Sequence, residues 1–305
     1  MNTTNLPLKE YYSSVSRSQK KAIDALFQKI ESNVYKLIDN ECLCGSNKGI
    51  LVARKDRYGI EVDTYLCNDC GIMRADPILD NDSLSSFYKD DYRKIYSSPR
   101  GDLEKHHENQ IKHGKEIMDF LDLRVKLPDN TIVYDIGCAS GGTLVPFIKK
   151  GYYASGLEIN NEYSEFGKTQ GIDIQSSESK FYENMQNADL IILSHVLEHL
   201  PKPKQLLKKI RENLKDNGLL YVEVPGILDT HNQYKQFMFA LQQAHIWYFS
   251  KDTLENVLGS SGFSLIKGDE KIKAVFEKTD IKDFKKQKEF FDKIRNYLIE
   301  NYLKD

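Results

Sequence analysis

Two stretches of this sequence carry residue types at spacings that can do chemistry. The first is Val133-Tyr134-Asp135-Ile136-Gly137-Cys138-Ala139-Ser140-Gly141-Gly142. Residues 131–136 are β-branched and aromatic, which suits a short buried strand. The small residues after it let backbone approach a ligand, and a helix expected over 143–150 would turn free N–H groups toward it. Tyr153-Ala-Ser-Gly-Leu-Glu158 reads as a second strand ending in an acid, and a carboxylate there can hold both hydroxyls of a ribose. Together these features argue for an adenosine-type cofactor.

The second stretch pairs Cys42-Leu-Cys44-Gly with Cys67-Asn-Asp-Cys70-Gly. Each pair adjoins a glycine, as in a zinc knuckle. Four thiolates satisfy tetrahedral Zn²⁺ with no position left for water, so a structural ion is expected at Cys42, Cys44, Cys67 and Cys70. The first pair is C-x-C where C-x-x-C is usual, and buried cysteines in a metal-free hairpin are the alternative. A third region, 80–96, is dense in tyrosine, with Tyr88, Tyr92 and Tyr96. It reads either as a surface helix packing through its rings or as a lid whose phenols reach the cofactor or substrate. His106, His107 and His113 follow no ligand spacing and are read as solvated.

The elements that must position these residues follow from periodicity. Ile23, Leu26, Phe27, Ile30, Val34, Leu37 and Ile38 make a 3-4 stripe and predict an amphipathic helix over 18–40. Residues 50–54 and 60–66 read as hairpin strands and 103–123 as a helix. From 131 onward strands and helices alternate, the mark of a doubly wound sheet. Strands are expected at 131–136, 153–158, 172–174, 188–193 and 219–224, and helices at 161–169, 203–214 and 251–261. Residues 264–267 and 273–277 have no helix between them and predict an antiparallel edge hairpin. A Lys-rich helix closes the chain over 280–305, carrying Phe284, Phe290, Phe291, Ile294 and Leu298.

The fold class is therefore α/β: a Rossmann-like doubly wound seven-stranded sheet with an antiparallel edge hairpin. A small Cys-rich, zinc-ribbon-like N-terminal domain and flanking helices accompany it. The expected division is an N-terminal helix (1–40), a Cys-rich domain (41–80), a helical lid or linker (81–125), a cofactor-binding domain (126–278) and a C-terminal helix (279–305). With 305 residues and a net charge of −2, no whole-chain basic field draws it to nucleic acid or anionic lipid. No run of about 18 apolar residues occurs, so no membrane span is expected. The N-terminus lacks the apolar core of a signal peptide, which argues for a cytoplasmic chain with reduced cysteines.

This run of motifs resembles the class I S-adenosylmethionine-dependent methyltransferases. Asp135-x-Gly137-x-Ala139-x-Gly141 is similar to their glycine-rich first motif, and Glu158 to the acid closing their second strand. The run from Asp189 through Ser194, His195, Glu198 and His199 matches the fourth strand and its loop. Gly218-Leu-Leu-Tyr-Val-Glu-Val-Pro225 resembles the fifth. His245-Ile-Trp-Tyr-Phe249-Ser250 with Gly262-Phe263 resembles a further signature of the group. With the Cys-rich front, the order resembles bacterial sugar methyltransferases that act on deoxysugars, nucleotide sugars or surface polysaccharides.

The resemblance implies S-adenosylmethionine as cofactor. Asp135, Gly137, Cys138 and Gly141 would lie against the methionine part, Glu158 on the ribose, and Ser177 and Glu178 near the adenine. Ser194 and His195 would face the sulfonium, with Tyr88 and Tyr92 as lid contacts. Methyl transfer requires alignment and removal of an acceptor proton. His195, His199 and His245 are the candidate bases, since histidine titrates near neutrality. The plainer roles are a loop cap against Glu198 for His199 and a backbone anchor of the Trp247 segment for His245. Ala139 stands where the family has a middle glycine, which is tolerable if its φ stays negative. The acceptor, a small molecule or glycan, is expected to meet the tyrosine segment and the 225–250 insert. The two terminal helices could support a homodimer.

Three other readings compete. Gly137-x-Ala139-x-x-Gly142 also fits a nicotinamide fingerprint, but Asp135 would crowd the pyrophosphate and no Tyr-x-x-x-Lys pair occurs. His195-x-x-Glu198-His199 spells an inverted zinc-peptidase motif, yet it follows a strand directly and Pro201 and Pro203 allow barely one helical turn. A catalytically silent, methyltransferase-like binding subunit would keep Asp135 and Glu158 without turnover.

Overall fold

The computed structural model describes residues 6, 8, 12–96, 103–122, 127–185 and 187–303; the boundary expected at 125/126 lies outside them. Ser16 accepts from Gln19 N while the Gln19 side chain reaches back to Ser16 N, a reciprocal cap that starts α1 (Arg17–Glu31). The helix stops well short of residue 40. Asn33, at φ +57°, turns the chain away, and Tyr35 is drawn to Asp91 through a 2.6 Å hydrogen bond. The 3-4 stripe continues in the sequence, but Val34, Leu37 and Ile38 are exposed. Leu37–Ile38 instead forms β1.

The Cys-rich region contributes β2 (Gly49–Lys55), β3 (Glu61–Cys67) and β4 (Met73–Ala75), an antiparallel sheet, and β5 (Ile78–Leu79), which pairs with β1. Helices α2 (Asn81–Asp90), α3 (Tyr92–Tyr96) and α4 (Leu103–Asp122) follow. Asp80 caps α2 by accepting from Ser83 N.

The alternation then begins: β6 (Ile132–Ile136), α5 (Val145–Lys149), β7 (Tyr153–Leu157), α6 (Asn161–Thr169), β8 (Asp173–Gln175) and α7 (Glu178–Asn184). It continues with β9 (Ala188–Ser194), α8 (Pro203–Asn213), β10 (Leu214–Glu223) and the short α9 (Thr230–Gln233). After β11 (Trp247–Tyr248) come α10 (Lys251–Gly259), β12 (Phe263–Gly268), β13 (Lys273–Lys278) and α11 (Lys288–Tyr302). The seven strands lie in the order β12-β13-β10-β9-β6-β7-β8. Every pairing is parallel except those of β13, which runs antiparallel to both neighbours. β9 is buried from Ala188 to Leu193 on both faces, which explains its apolar run from Leu190, while Asp189 at its start is paired with Lys215 at 2.8 Å.

The 226–250 segment folds back onto the front of the chain. β11 adds to the Cys-rich sheet in the order β11-β4-β3-β2. The closing helix starts at Lys288 and not at 280, leaving Phe284 outside it beneath Lys204. Phe291, Ile294 and Leu298 bury one face of α11, and Ile23 and Leu26 one face of α1. Both helices thus cover an apolar stripe within the chain. No helix among the described residues is long and apolar enough to cross a membrane.

Candidate functional site

The loop after β6 is wound tightly, with Gly137 at φ +78°, Ala139 at +47° and Gly141 at +69°. Ala139 therefore departs from the expected negative φ. Its N–H donates to Glu158 Oε2 at 3.0 Å, a bond that holds the alanine in this left-handed conformation. Asn160 N donates to the other oxygen of Glu158 at 2.6 Å. Asp135, 3% exposed, lies on β6 itself, two residues before Gly137, and no base is bonded to either acid among the described residues. Burial, and then Glu158, pushes the Asp135 carboxyl well above its usual range. Two buried acids beside a glycine-rich turn suit a ligand with hydroxyls and a cationic end.

Cys138 turns its thiol into the core against Gly156, where an added Cβ would meet Sγ at 2.4 Å. Only its backbone is left for a ligand, and its carbonyl accepts from Gln110 Nε2 at 3.0 Å. Ser177 opens α7 with its hydroxyl on Ser179 at 3.1 Å, and Glu178 reaches Lys209 at 3.3 Å. Both sit at the carboxyl end of the edge strand, beside β7.

The histidines of α4 are not solvated. His107 is buried with Nδ1 3.0 Å from Ser140 Oγ, His106 stacks edge-on against Tyr163, and His113 Nε2 lies 2.9 Å from Glu223 Oε2. α4 lies directly on the loop because Gly114 lets the backbone approach, where a Cβ would come within 2.2 Å of Thr143 O. His107, Gln110, His113 and Gly114 recur at helical spacing, and that periodicity is the signal by which this face can be found in the sequence.

At the carboxyl ends of β9 and β10, Ser194 Oγ donates to Glu223 Oε2 at 3.3 Å. His195 sits at φ +55°, its N–H on Glu223 O at 2.8 Å and its side chain 55% exposed. Its Nδ1 is 3.4 Å from Glu198 Oε1 and its Nε2 4.0 Å from Glu223 Oε1. Burial disfavours the charged ring, but Glu198 and then Glu223 hold the His195 pKa above its ordinary value. Glu198 is 1% exposed; burial opposes its charge, yet His199 and His195 keep it at about 2. His199 Nδ1 lies 2.9 Å from both Ala244 O and Tyr88 Oη, and its Nε2 3.8 Å from Glu198 Oε1. His245, 4% exposed, stacks on His199 at 4.8 Å, and burial followed by His199 pushes it down to about 3.

The tyrosine segment both packs and reaches. Tyr88, Tyr92 and Tyr96 form a row of rings 5.1 and 5.4 Å apart, and Tyr92 lies edge-on to His199 at 6.0 Å. Tyr96 donates to Asp56 at 2.9 Å. Away from this pocket, Cys42 and Cys70 bring their sulfurs to 3.5 Å, and Cys44 and Cys67 to 3.6 Å. These spacings match the edge of about 3.8 Å expected when four thiolates bind one zinc ion at about 2.3 Å. The backbone N–H of Gly45 bonds to Cys42 O and that of Gly71 to Cys67 O, closing both knuckle turns despite the C-x-C spacing.

A model of the methyltransferase domain matches residues 106–267. The chain is similar to the C-methyltransferase NovU of Streptomyces niveus, 22% identical over 230 residues, 72% of this chain and 51% of that protein. It is also similar to (S)-coclaurine N-methyltransferase of Papaver somniferum, 25% identical over 155 residues, 43% of this chain and 44% of that protein. The chain thus spans about half the length of these curated relatives. Among solved structures it is similar to 1,6-didemethyltoxoflavin-N1-methyltransferase of Burkholderia thailandensis, with a TM-score of 0.49 and 14% identity, covering 70% of this chain and 97% of that one.

Proposed function

This chain belongs to the methyltransferase-domain family, and from that premise we propose that it moves a methyl group from S-adenosylmethionine to a hydroxyl or carbon of a sugar, nucleotide sugar or surface polysaccharide. The observation carrying the cofactor is the pair of buried, base-free acids, Asp135 and Glu158, flanking the turn at Gly137–Gly141. Glu158 would take the ribose hydroxyls, and Asp135, Gly137, Gly141 and the Cys138 backbone the methionine end. Ser177 and Glu178 would approach the adenine. Ser194 and His195, at the carboxyl end of the sheet, would face the sulfonium.

Of the three candidate bases, His195 has the geometry for the task. Its ring is half exposed, with a buried carboxylate behind Nδ1, so that Nε2 can take the acceptor's proton. His199 has Nδ1 committed to Ala244 and Tyr88, and His245 is enclosed. As the acceptor loses its proton, the S–CH₃ bond breaks and the new bond to oxygen or carbon forms, leaving S-adenosylhomocysteine. The tyrosine row supports a sugar acceptor by offering ring faces and phenols. That the S. niveus relative is a C-methyltransferase supports a carbon acceptor. A structural Zn²⁺ would sit on the four cysteines, and a zinc-thiolate set supports a reducing, cytoplasmic setting.

Calorimetric titration with S-adenosylhomocysteine, with NAD as comparison ligand, tests the cofactor. Micromolar binding of the homocysteine compound alone is expected; binding of NAD instead would overturn the reading. His195→Ala should keep that affinity and lose roughly 10²–10⁴-fold in turnover. An alanine variant within a few-fold of wild type would remove His195 as the base.

A further inference from the structure

The histidine pocket holds more buried acceptors than donors. Glu198 has no hydrogen-bond partner closer than His195 Nδ1 at 3.4 Å, and Nδ1 of His245 has none. Ala244 O can only accept, so Nδ1 of His199 carries the proton facing it, with Tyr88 Oη donating to the same carbonyl at 3.2 Å. In the neutral ring, the form a metal ion would select, that tautomer leaves Nε2 of His199 a lone pair turned toward Glu198. A carboxylate oxygen of Glu198 and one ring nitrogen from each of His199 and His245 lie within 4.8 Å of one another. His195 approaches Glu198 at 3.4 Å, but its single Nδ1 proton cannot serve three acceptors.

Converging acceptors short of donors repel unless a cation lies among them. We propose that Glu198, His199 and His245 bind a divalent first-row transition ion of the zinc class, separate from the cysteine quartet. Two imidazoles and one carboxylate are a borderline donor set, and three protein ligands leave a coordination position open. The Ala244 carbonyl on Nδ1 of His199 is the kind of outer partner that fixes a ligand's tautomer. Bonds of about 2.0–2.2 Å require these atoms to close to roughly 3–3.5 Å, from separations of up to 4.8 Å.

The inference rests on the methyltransferase reading for its chemistry. The ion would neutralise Glu198 and fix the pocket wall behind His195, which removes the acceptor's proton. The ion changes no oxidation state. The peptidase motif stays excluded, because residues 197–199 form a single 3₁₀ turn and the third ligand is His245, not His195.

Metal content and Co²⁺ titration of the full chain test the site, with S-adenosylhomocysteine affinity measured on the same samples. Two zinc equivalents per chain are expected. Co²⁺ should add d–d absorption without thiolate charge transfer, beyond the charge-transfer bands of the cysteine quartet. Glu198→Gln and His245→Asn should each lose that second signal and keep the thiolate bands. A wild-type chain showing only the thiolate-bound ion overturns the proposal even if both variants fail to fold, and so does a second signal that survives both substitutions. If that happens while S-adenosylhomocysteine still binds, the metal site alone falls; loss of cofactor binding in wild type would strike the functional reading instead.

Discussion

Ala139 shows how one residue's backbone can escape a sequence reading. The residue type is plain, but its φ of +47° is imposed by Glu158, an acid on the next strand that takes its N–H. Ala139→Gly would relieve roughly 1–2 kcal/mol of left-handed strain against about 0.5–1 kcal/mol of added chain entropy. A small rise in melting temperature, read by scanning calorimetry, is the expected outcome; a fall would mean that the turn is not strained. Gly156→Ala should act in the opposite sense, since the new Cβ would meet the Cys138 thiol at 2.4 Å. Overpacking there should destabilise by about 1–3 kcal/mol and weaken S-adenosylhomocysteine binding by shifting the loop. Asp135 and Glu158 were legible because an acid at a strand's end is a sequence signal. Glu223 and His113 were not, since their meeting needs β10 and α4 placed side by side.

Elements read well where one periodicity governs and poorly where a polar contact interrupts it. The central parallel strands announce themselves through short apolar runs, Leu190–Leu193 in β9 and Leu219–Val222 in β10. The first helix was overextended because its stripe runs on past Asn33, while the polar pull on Tyr35 is invisible in the pattern. That pull is testable. Burial raises the cost of ionising Asp91, yet Lys29 and Tyr35 outweigh it and hold the carboxyl below its usual range. The Lys29 ammonium is raised by the same partners against its own burial. A depressed carboxyl contributes stability above its unfolded value of about 3.9 that is lost as pH falls through the folded one, and a raised ammonium loses its share at high pH. Urea unfolding should therefore show Asp91→Asn destabilised between about pH 5 and 9, with the gap to wild type closing in acid; a pH-independent gap would refute the ionic account. In the closing helix, Ile294 is buried without exposure, and Ile294→Ala should cost about 2–5 kcal/mol by the same assay.

The whole molecule departs from a string of modules. Residues 226–250 leave the large sheet, lend β11 to the Cys-rich sheet and place His245 against His199 on the way. Asp56, from the hairpin between β2 and β3, accepts from Gln243 N at 3.0 Å and from Tyr96. If zinc holds the knuckles, its removal should raise hydrogen exchange at residues 243–249 as well as at 42–75. A rise confined to the cysteine region would show that the histidine pocket is supported independently. The pairing of β11 with β4 also sets a timetable for biosynthesis. β4 meets its last partner only when a strand roughly 170 residues further along has been made, which at about 5–20 residues per second takes roughly nine to thirty-five seconds. Until then the front sheet presents an open edge on the ribosome, and a nascent chain stalled before Trp247 would be prey for chaperones or for its neighbours on the polysome.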